Sequence, residues 1–300
     1  MKKKFVFLGD IDSINIELIN SSHKKLKNKI NYILLGNISD LIKYLKKISS
    51  NLQINEVLDP INFSNYNKNH LNIFNIENVS NEKYRNLLNQ IEIANNLSVI
   101  SKNDLVTLPI NKSIFKKKMN FNGMTEYLAK INKKDTNMLM HGEKFSIIPL
   151  TTHINLNDVS KFIDKKFIKS SIQKILFQLN RSIYNLKYNN IKFLCYNPHC
   201  GEDNTIGGQD RLIYQSISSF RKIKGPYAAD SAFKNLNSKL LFISMYHDQV
   251  LIPFKLLNKR GINLTLGLNY KRLSPAHGTA TDIMFKNKAD LSSYLACMEL

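Results

Sequence analysis

Short apolar runs alternate with longer amphipathic stretches along most of the chain. The run Lys4–Leu8 gives way at Gly9 to apolar positions at helical spacing, which predicts a strand, a turn and a helix. A second apolar run, Ile30–Leu35, predicts another strand, and Ile91–Val106 predicts a helix followed by a strand. Residues 50–90 are rich in asparagine and have irregular apolar spacing, so the pattern predicts no particular element there.

Three strand-like runs dominate the second half of the chain: Phe145–Thr151, Ile191–Tyr196 and Lys239–Met245. Helical patterns separate them, over Asp158–Leu186 and Asp210–Ile223. Strands that alternate with helices predict a mostly parallel sheet with helices on both faces. The fold class is therefore expected to be α/β, and the chain contains no internal repeat.

Composition excludes several classes of protein. The 300 residues are 43% hydrophobic and 22% charged, which is typical of a globular protein with a sizeable core. No apolar run approaches the roughly 18 residues of a membrane span. The three cysteines, Cys195, Cys200 and Cys297, provide neither a disulfide framework nor a thiolate zinc site. We therefore expect a cytoplasmic protein with no membrane partner.

The formal net charge of +20 raises the alternative of a nucleic-acid or membrane-surface protein. Few of the basic residues are arginines, however, and those few are scattered along the chain. Arginine is the residue that binds phosphates and guanines in bidentate fashion, whereas the lysines here are spread evenly. We expect weak, non-specific association and no specific nucleic-acid partner.

Three histidines occupy equivalent places in the sequence. His153, His199 and His247 each come just after one of the three predicted strands of the second half. The carboxyl edge of an open parallel sheet is where ligands bind. Three neutral imidazoles that meet there would bind a metal such as zinc and leave one position open for catalysis. One such histidine would more often be an ordinary loop residue, but three matching positions favour a shared metal site.

Further polar residues follow these histidines. Asp248 comes directly after the third histidine and either takes part in the chemistry or caps the next helix. Lys255 and Arg272 are cations of the kind that bind a phosphomonoester, and Asn263 lies between them. The loop over residues 274–282 could hold an anion or a nucleotide on backbone N–H groups. The chain has no G-x-G-x-x-G and no P-loop, so a Rossmann dinucleotide site is not supported.

Five motifs in the second half resemble, in order, the signature motifs of the 4-hydroxythreonine-4-phosphate dehydrogenase (PdxA) family of pyridoxine biosynthesis. The resemblance covers residues 145–295 and is weak before residue 105. The motifs are Asn197-Pro198-His199-x-Gly201-Glu202, Gly225-Pro226-Tyr227-Ala228-Ala229-Asp230, Met245-Tyr246-His247-Asp248-Gln249, Gly261-Ile262-Asn263-Leu264-Thr265-Leu266-Gly267-Leu268 and His277-Gly278-Thr279-Ala280.

The resemblance implies two α/β/α domains of the isocitrate and isopropylmalate dehydrogenase type, with the active site in the interdomain cleft. It assigns residues 1–110 and about 270–300 to a first domain. It assigns about 111–269 to a second domain, which would carry the metal histidines and the interface of a homodimer.

The resemblance also implies an activity. The family oxidises 4-phosphooxy-L-threonine with NAD or NADP and decarboxylates the product to 3-amino-2-oxopropyl phosphate, on the way to pyridoxal 5'-phosphate. One divalent metal per subunit, such as zinc, magnesium or cobalt, would assist as a Lewis acid on the three histidines. The matching catalytic positions are His153, His199, His247 and Asp248. The matching substrate positions are Thr125, Lys255, Asn263 and Arg272. The matching cofactor positions are His277, Gly278, Thr279 and Asp282.

The chain departs from the family pattern at three places. Met124 replaces the histidine that precedes Thr125 in the family, and a thioether cannot make the hydrogen bonds of an imidazole. Residues 203–205 replace a Gly-Gly-His sequence, and residues 9–17 have lost the prolines and two glycines of an N-terminal motif. Two alternatives therefore stay open: a dehydrogenase of a related phosphorylated sugar acid of the erythronate or threonate type, and a decayed, non-catalytic relative.

Overall fold

Helices and strands alternate along the whole chain. The structure is a computed structural model that describes residues 2–116, 118–119 and 121–300. Its strands are β1 (Lys2–Phe7), β2 (Ile30–Gly36), β3 (Ile54–Glu56), β4 (Leu71–Asn75), β5 (Asp104–Thr107), β6 (Asn137–His141), β7 (Ser146–Pro149), β8 (Asn190–Leu194), β9 (Ile223–Tyr227), β10 (Leu240–Ser244), β11 (Ile262–Leu266) and β12 (Arg272–Pro275). Its α-helices are α1 (Asn15–Leu26), α2 (Ile38–Lys47), α3 (Lys83–Ser101), α4 (Met124–Asn132), α5 (Leu156–Val159), α6 (Lys165–Leu179), α7 (Gln209–Ile217), α8 (Ala229–Ala232), α9 (His247–Leu257) and α10 (Ser292–Glu299). Within these described ranges, no helix is long and apolar enough to cross a membrane.

The chain divides into two compact units, one formed by residues 1–134 with 268–300 and the other by residues 135–267. In the first unit the strand order is β3-β4-β2-β1-β5-β12, and every neighbouring pair is parallel. The central strands are continuous apolar runs because helices cover both faces of the sheet. Phe5, Val6 and Phe7 of β1, for example, are completely buried.

In the second unit the strand order is β11-β6-β7-β10-β8-β9. The strands β7, β10, β8 and β9 are parallel to one another, whereas β6 is antiparallel to both β7 and β11. The prediction of an α/β fold with mostly parallel strands is therefore confirmed. The sequence pattern did not predict the antiparallel strands β6 and β11.

The structure also differs from the sequence pattern in two other segments, one with no predicted element and one with a predicted helix that is too long. Residues 50–90 contain β3, β4 and the start of α3. The helical pattern predicted over Asp158–Leu186 becomes mainly α6, which ends at Leu179. The pattern extends beyond the helix because the following loop is also anchored in the core: Tyr184 is fully buried, and its hydroxyl accepts a hydrogen bond of 2.7 Å from Gly267 N.

Residues 111–134 lie in the first unit, whereas the sequence-based division placed them in the second domain. Phe115 and Leu128 in this segment are buried in one hydrophobic cluster with Phe5 and Phe7 of β1. The apolar side chains of the segment therefore complete the core of the first unit, and this packing sets the boundary.

A buried polar network lies where β6 approaches β7. The Nδ1 atom of His141 is 2.9 Å from Ser146 Oγ and 3.1 Å from the Tyr188 hydroxyl, and that hydroxyl is 2.9 Å from Ser146 Oγ. Burial lowers the pKa of His141 to about 4, because a desolvated imidazolium is costly. The ring is therefore neutral at pH 7.

We expect the free energy of unfolding to fall as the pH drops from about 6.5 to about 4. In that window unfolded His141 takes up a proton that the folded ring cannot accept, so acid favours the unfolded state. The loss is about 1.4 kcal/mol per pH unit, or about 3 kcal/mol across the window. Urea unfolding followed by circular dichroism at several pH values measures it.

The His141→Gln variant should lose the part of this pH dependence that His141 contributes, since glutamine does not titrate. His23, whose pKa is also lowered by burial, keeps its own contribution in the variant. His70→Gln, in the other unit, is the matched control and should keep the wild-type slope. Equal slopes for wild type and His141→Gln would contradict the assignment of this acid sensitivity to His141.

Candidate functional site

The three histidines singled out by their spacing follow three neighbouring strands of the second unit. The strand β10 pairs in parallel with β7 on one side and with β8 on the other. His153 follows β7, His199 follows β8 and His247 follows β10. The prediction that these three strand ends share one edge of a parallel sheet is therefore confirmed.

Two of the three histidines come together. The ring centroids of His153 and His247 are 5.9 Å apart, with 42° between the ring planes. His247 Nδ1 is 2.6 Å from Asp248 Oδ1. A carboxylate that accepts the Nδ1 proton fixes the orientation of the ring and leaves the Nε2 lone pair for another partner, such as a metal. The helix-capping alternative for Asp248 does not apply, because the N-cap of α9 is Tyr246.

His199 lies in an unusual turn after β8. Residues 199–204 all have positive φ, between 41° and 80°, so the backbone winds in the left-handed sense. This conformation is unfavourable for residues other than glycine, and the surrounding structure must enforce it. Asp210, at the start of α7, holds the residues that lead into the turn: its carboxylate accepts hydrogen bonds from Tyr196 N at 2.6 Å and from Asn197 N at 3.0 Å.

The left-handed turn leaves the His199 ring 64% exposed, with Nδ1 3.1 Å from Glu202 Oε1. It borders a pocket of about 270 Å³ that is also lined by Asp230, Tyr246 and Gln249. Gln249 donates from Nε2 to Cys195 O at 2.8 Å. Its Oε1 atom is buried and accepts no hydrogen bond from the residues that the structure describes.

The pocket shows which residues the spacing argument missed. Asp230, Tyr246 and Gln249 did not stand out by spacing, although all three fall in motifs that carry the family resemblance. A buried acceptor without a donor, such as Gln249 Oε1, costs free energy unless a ligand or water satisfies it. The pocket is therefore suited to a ligand that offers a hydrogen-bond donor.

The fit to a metal ion is partial. Among the described residues, no three His, Cys, Asp or Glu side chains are close enough together to hold one. His153 and His247 offer two nitrogen ligands, and His247 has the carboxylate partner that metal-bound histidines usually have. A catalytic zinc ion has three protein ligands, so the pair is one ligand short. The metal site on all three histidines remains a prediction.

In the first unit, Arg272 and Thr125 come together as two of the predicted substrate residues. Arg272 is buried, and its Nη1 donates to Thr125 Oγ1 at 3.2 Å. Its Nε and Nη2 atoms both donate to Thr107 Oγ1, at 2.9 and 2.6 Å. Burial lowers the pKa of Arg272 to about 10, which still leaves the guanidinium charged at neutral pH.

The other two predicted substrate residues lie in the second unit. Lys255 is exposed on α9, and Asn263 lies on β11. The Asn263 Oδ1 atom is buried and has no hydrogen-bond partner within the described part of the chain. It is an acceptor that a substrate hydroxyl or ammonium group could satisfy.

The predicted cofactor residues form a loop in the first unit after β12. His277 Nε2 is buried and has no partner among the residues described. No described atom lies within 4 Å of the position that a Cβ on Gly278 would take, so the space there is open. Thr279 accepts a hydrogen bond from Ile14 N at 3.1 Å, and Asp282 is exposed. An unsatisfied nitrogen beside open space fits a bound ligand such as a nucleotide.

The altered N-terminal loop keeps an ordered turn by other means. Asn15, which stands where the family has a glycine, donates from Nδ2 to Leu8 O and to Pro109 O, both at 2.9 Å. Gly9 remains, with φ +69°, and a Cβ there would lie 2.5 Å from Pro109 O. Side-chain hydrogen bonds therefore hold the turn that prolines and glycines hold in the family pattern.

Known proteins of one family match this chain over its whole length. The family model described as pyridoxal phosphate biosynthetic protein PdxA matches residues 21–300. A protein of Aquifex aeolicus named 4-hydroxythreonine-4-phosphate dehydrogenase is 34% identical over 100% of this chain and 97% of its own length. A protein of the same name from Campylobacter fetus is 30% identical with the same coverage.

Solved structures show the same fold. A 4-hydroxythreonine-4-phosphate dehydrogenase from Klebsiella pneumoniae has a TM-score of 0.78 at 24% identity, over 100% of this chain and 98% of that one. A terephthalate 1,2-cis-dihydrodiol dehydrogenase from Burkholderia xenovorans has a TM-score of 0.60 at 17% identity, over 98% and 95% of the two chains.

We expect the Asp210→Ala variant to loosen the left-handed turn, because the N–H groups of Tyr196 and Asn197 lose their charged acceptor. Cys200 in the turn is half-buried, and burial raises its pKa to about 12. Little of the reactive thiolate is then present at neutral pH, so the thiol reacts slowly. Its reaction with a chromogenic disulfide reagent should become about tenfold faster in the variant, because the turn opens and because the Asp210 charge, which also raises the pKa of this thiol, is removed.

The matched control is Asp203→Asn, which removes an exposed charge from the same turn, keeps a side chain that tolerates the left-handed backbone, and should leave the thiol rate unchanged. The other two cysteines are buried and should stay unreactive in both variants. Equal thiol rates in Asp210→Ala and in the wild type would show that another contact holds the turn.

Proposed function

The chain belongs to the PdxA family of pyridoxal phosphate biosynthetic proteins, and we propose that it catalyses the 4-hydroxythreonine-4-phosphate dehydrogenase reaction. In this reaction 4-phosphooxy-L-threonine is oxidised with NAD or NADP, and the product loses carbon dioxide to give 3-amino-2-oxopropyl phosphate. The observation that carries the proposal is the pairing of His153 with the His247–Asp248 couple at the carboxyl edge of β7 and β10.

The cationic and polar residues suit a small phosphorylated amino acid. Arg272 holds a fixed positive charge where water is excluded, so its attraction to an anion is weakly screened. Thr107 and Thr125 orient its guanidinium through their hydroxyl groups. Lys255 supplies a mobile ammonium group for phosphate, and Asn263 Oδ1 supplies an acceptor for a substrate hydroxyl or ammonium.

The metal ligands in this proposal are His153, His199 and His247. When bound, a zinc, magnesium or cobalt ion supplies Lewis-acid activation of the substrate hydroxyl and of the carbonyl that replaces it. Asp248 holds the proton on His247 Nδ1 and so keeps the Nε2 lone pair available. Asp210 keeps His199 at the pocket through the backbone of the preceding residues.

The nicotinamide cofactor is assigned to the loop over His277–Asp282. NAD or NADP supplies the hydride acceptor when it is bound. His277 Nε2 offers an unsatisfied hydrogen-bonding atom, and Gly278 leaves room for a ligand next to the backbone. Thr279 is tied to Ile14 through its carbonyl, which fixes this part of the loop.

A homodimer is part of the proposal. The exposed face of α9 carries Asp248 and Lys255 together with Ile252 and Leu256, which are 59% and 76% exposed. Large apolar side chains beside catalytic residues are typical of a surface that a second copy covers.

A cytoplasmic location is proposed as well, since the three cysteines in the described part of the chain are all thiols.

Met124 favours one other substrate class. It is partly buried against the core of the first unit and presents no hydrogen-bonding ring next to Thr125. A phosphorylated sugar acid of the erythronate or threonate type, which lacks the amino group, is therefore the second candidate. A decayed, non-catalytic relative is less favoured, because loss of function would not preserve the ordered His247–Asp248 pair.

We expect NADH or NADPH formation with 4-phosphooxy-L-threonine, and slower formation, by about tenfold or more, with erythronate and threonate phosphates. A site that hydrogen-bonds an amino group discriminates strongly against compounds that lack it. Steady-state kinetics with the three substrates measures the ratio. Turnover of a sugar acid alone would replace the first candidate by the second, and no turnover of any with metal present would favour the decayed relative.

We expect His153→Ala, His199→Ala and His247→Ala each to lose bound metal and activity, and the double variants to be hardly worse than the single ones. The loss should exceed the roughly 10–100-fold effect of residues that only support a metal ligand. His277→Ala is the comparison variant: it should keep its metal and mainly raise KM for the nucleotide. Metal analysis and kinetics check this, and a histidine variant that keeps both metal and activity would disprove the shared site.

A further inference from the structure

The loop that carries the predicted cofactor residues is held from outside by the first two helices of the chain. Residues 276–291 contain only a short 3₁₀ turn, Thr281–Ile283, and many of their side chains are exposed. Ile14 N, at the start of α1, donates to Thr279 O at 3.1 Å. The far end of the loop meets α1 again through Asn287.

Glu17 on α1 makes the contact with the far end of the loop. It is only 1% exposed, and its Oε1 atom accepts a hydrogen bond of 3.0 Å from Asn287 N. Its Oε2 atom is 3.3 Å from the hydroxyl of Tyr44, whose single proton is shared between Glu17 and Ser13 O, the latter at 2.6 Å. A buried carboxylate is costly unless hydrogen bonds satisfy it, so this one is tied to the position of the loop.

Tyr44 supports the same contact from α2. Burial and the neighbouring Glu17 carboxylate raise the pKa of Tyr44, so its hydroxyl stays a donor at neutral pH. Its ring packs on Phe285 of the loop with centroids 4.8 Å apart, and Lys47 Nζ lies 5.2 Å from the Phe285 centroid. Glu17 and Tyr44 therefore hold residues 285–287 by one polar and one aromatic contact.

These contacts matter for binding because ordering a loop costs conformational entropy. A loop that must be ordered when the ligand arrives binds less tightly than one that is already in place. Here the stretch between the two anchored positions, Thr279 tied to Ile14 and Asn287 tied to Glu17, contains Asp282. His277 Nε2 and the open space at Gly278 lie directly before the first anchor.

We propose that Glu17 is a positioning residue for the nucleotide cofactor, which it serves by holding residues 279–287, which include Thr279 and Asp282, in the conformation that binds it. The inference rests on the proposed function, since the nucleotide is the ligand of this loop only if the chain is a nicotinamide-dependent dehydrogenase. Glu17 acts through the Asn287 backbone and is not a catalytic residue.

The test compares Glu17→Met, which keeps the side-chain length but removes both acceptors, with Glu17→Gln, which keeps an acceptor for Asn287 N. Trypsin cleavage after Lys286 and Lys288, identified by mass spectrometry, reports the order of the loop without any catalysis. Titration with NADH, followed by its fluorescence, reports nucleotide affinity, and circular dichroism checks that each variant is folded.

We expect Glu17→Met to be cleaved about tenfold faster and to bind NADH about tenfold more weakly, as for the loss of one hydrogen bond to a charged group. Its KM for the nucleotide should rise by a similar factor while KM for the phosphorylated substrate stays the same. Glu17→Gln should recover most of both properties, a rescue that general destabilisation would not give.

Tyr44→Phe provides a second variant in case Glu17→Met does not fold. It keeps the ring on Phe285 but removes the hydroxyl, and we expect cleavage and NADH affinity to change about two- to threefold. The matched control is Tyr66→Phe, which removes a half-buried hydroxyl that accepts from Tyr32 N in the same unit. The control should behave like the wild type.

Two outcomes would overturn the proposal: cleavage rates equal to the wild type in Glu17→Met, or faster cleavage with unchanged NADH affinity. Failure of the proposed function would look different, because the wild-type protein itself would then bind neither NADH nor NADPH.

Discussion

The parallel pairing of β10 with β7 determines which histidines can meet. The ladder continues beyond the strands, with Leu150 N donating to Ser244 O and Thr151 N to Met245 O, at 2.8 and 3.1 Å. Continued by one residue, the register places Leu150 beside Met245, and His153 and His247 follow this level by three and two residues. Both rings therefore lie just past the same edge of the sheet, where they come together.

The third histidine shows the limit of that rule. Phe193 on β8 is paired with Ile243, so Cys195 corresponds to Met245, and His199 follows this level by four residues. His199 also begins a left-handed run over residues 199–204, and Asp210 on α7 holds the two residues before Pro198. The sequence could predict that all three strands end at one edge, because apolar runs mark strands. It could not predict a left-handed run of non-glycine residues, which tertiary hydrogen bonds impose against local preference.

The rest of the fold likewise has parts that the sequence could predict and parts that it could not. Strands that are continuous apolar runs were predictable because their side chains are buried on both faces, whereas β3 and β6 carry polar residues and depend on partners distant in sequence. In the N-terminal loop, the loss of prolines and glycines was visible in the sequence. The side-chain hydrogen bonds that replace them were not visible there, because Asn15 bonds to Pro109, which is 94 residues away along the chain. Substitutions at a motif therefore need the three-dimensional contacts before they can be interpreted.

The charge of the chain and the charge of the site have different physical roles. The net charge of +20 comes mainly from lysines spread over the chain, and salt screens exposed charges over about 8 Å at physiological ionic strength. Such charges attract any anion and select none. Arg272 is buried and oriented by Thr107 and Thr125, so its field is less screened and its donors have fixed directions. Selection of a phosphorylated substrate is therefore expected to depend mainly on Arg272 and its threonines, with Lys255 as a second cation, and the rest of the basic surface to affect only the rate of encounter.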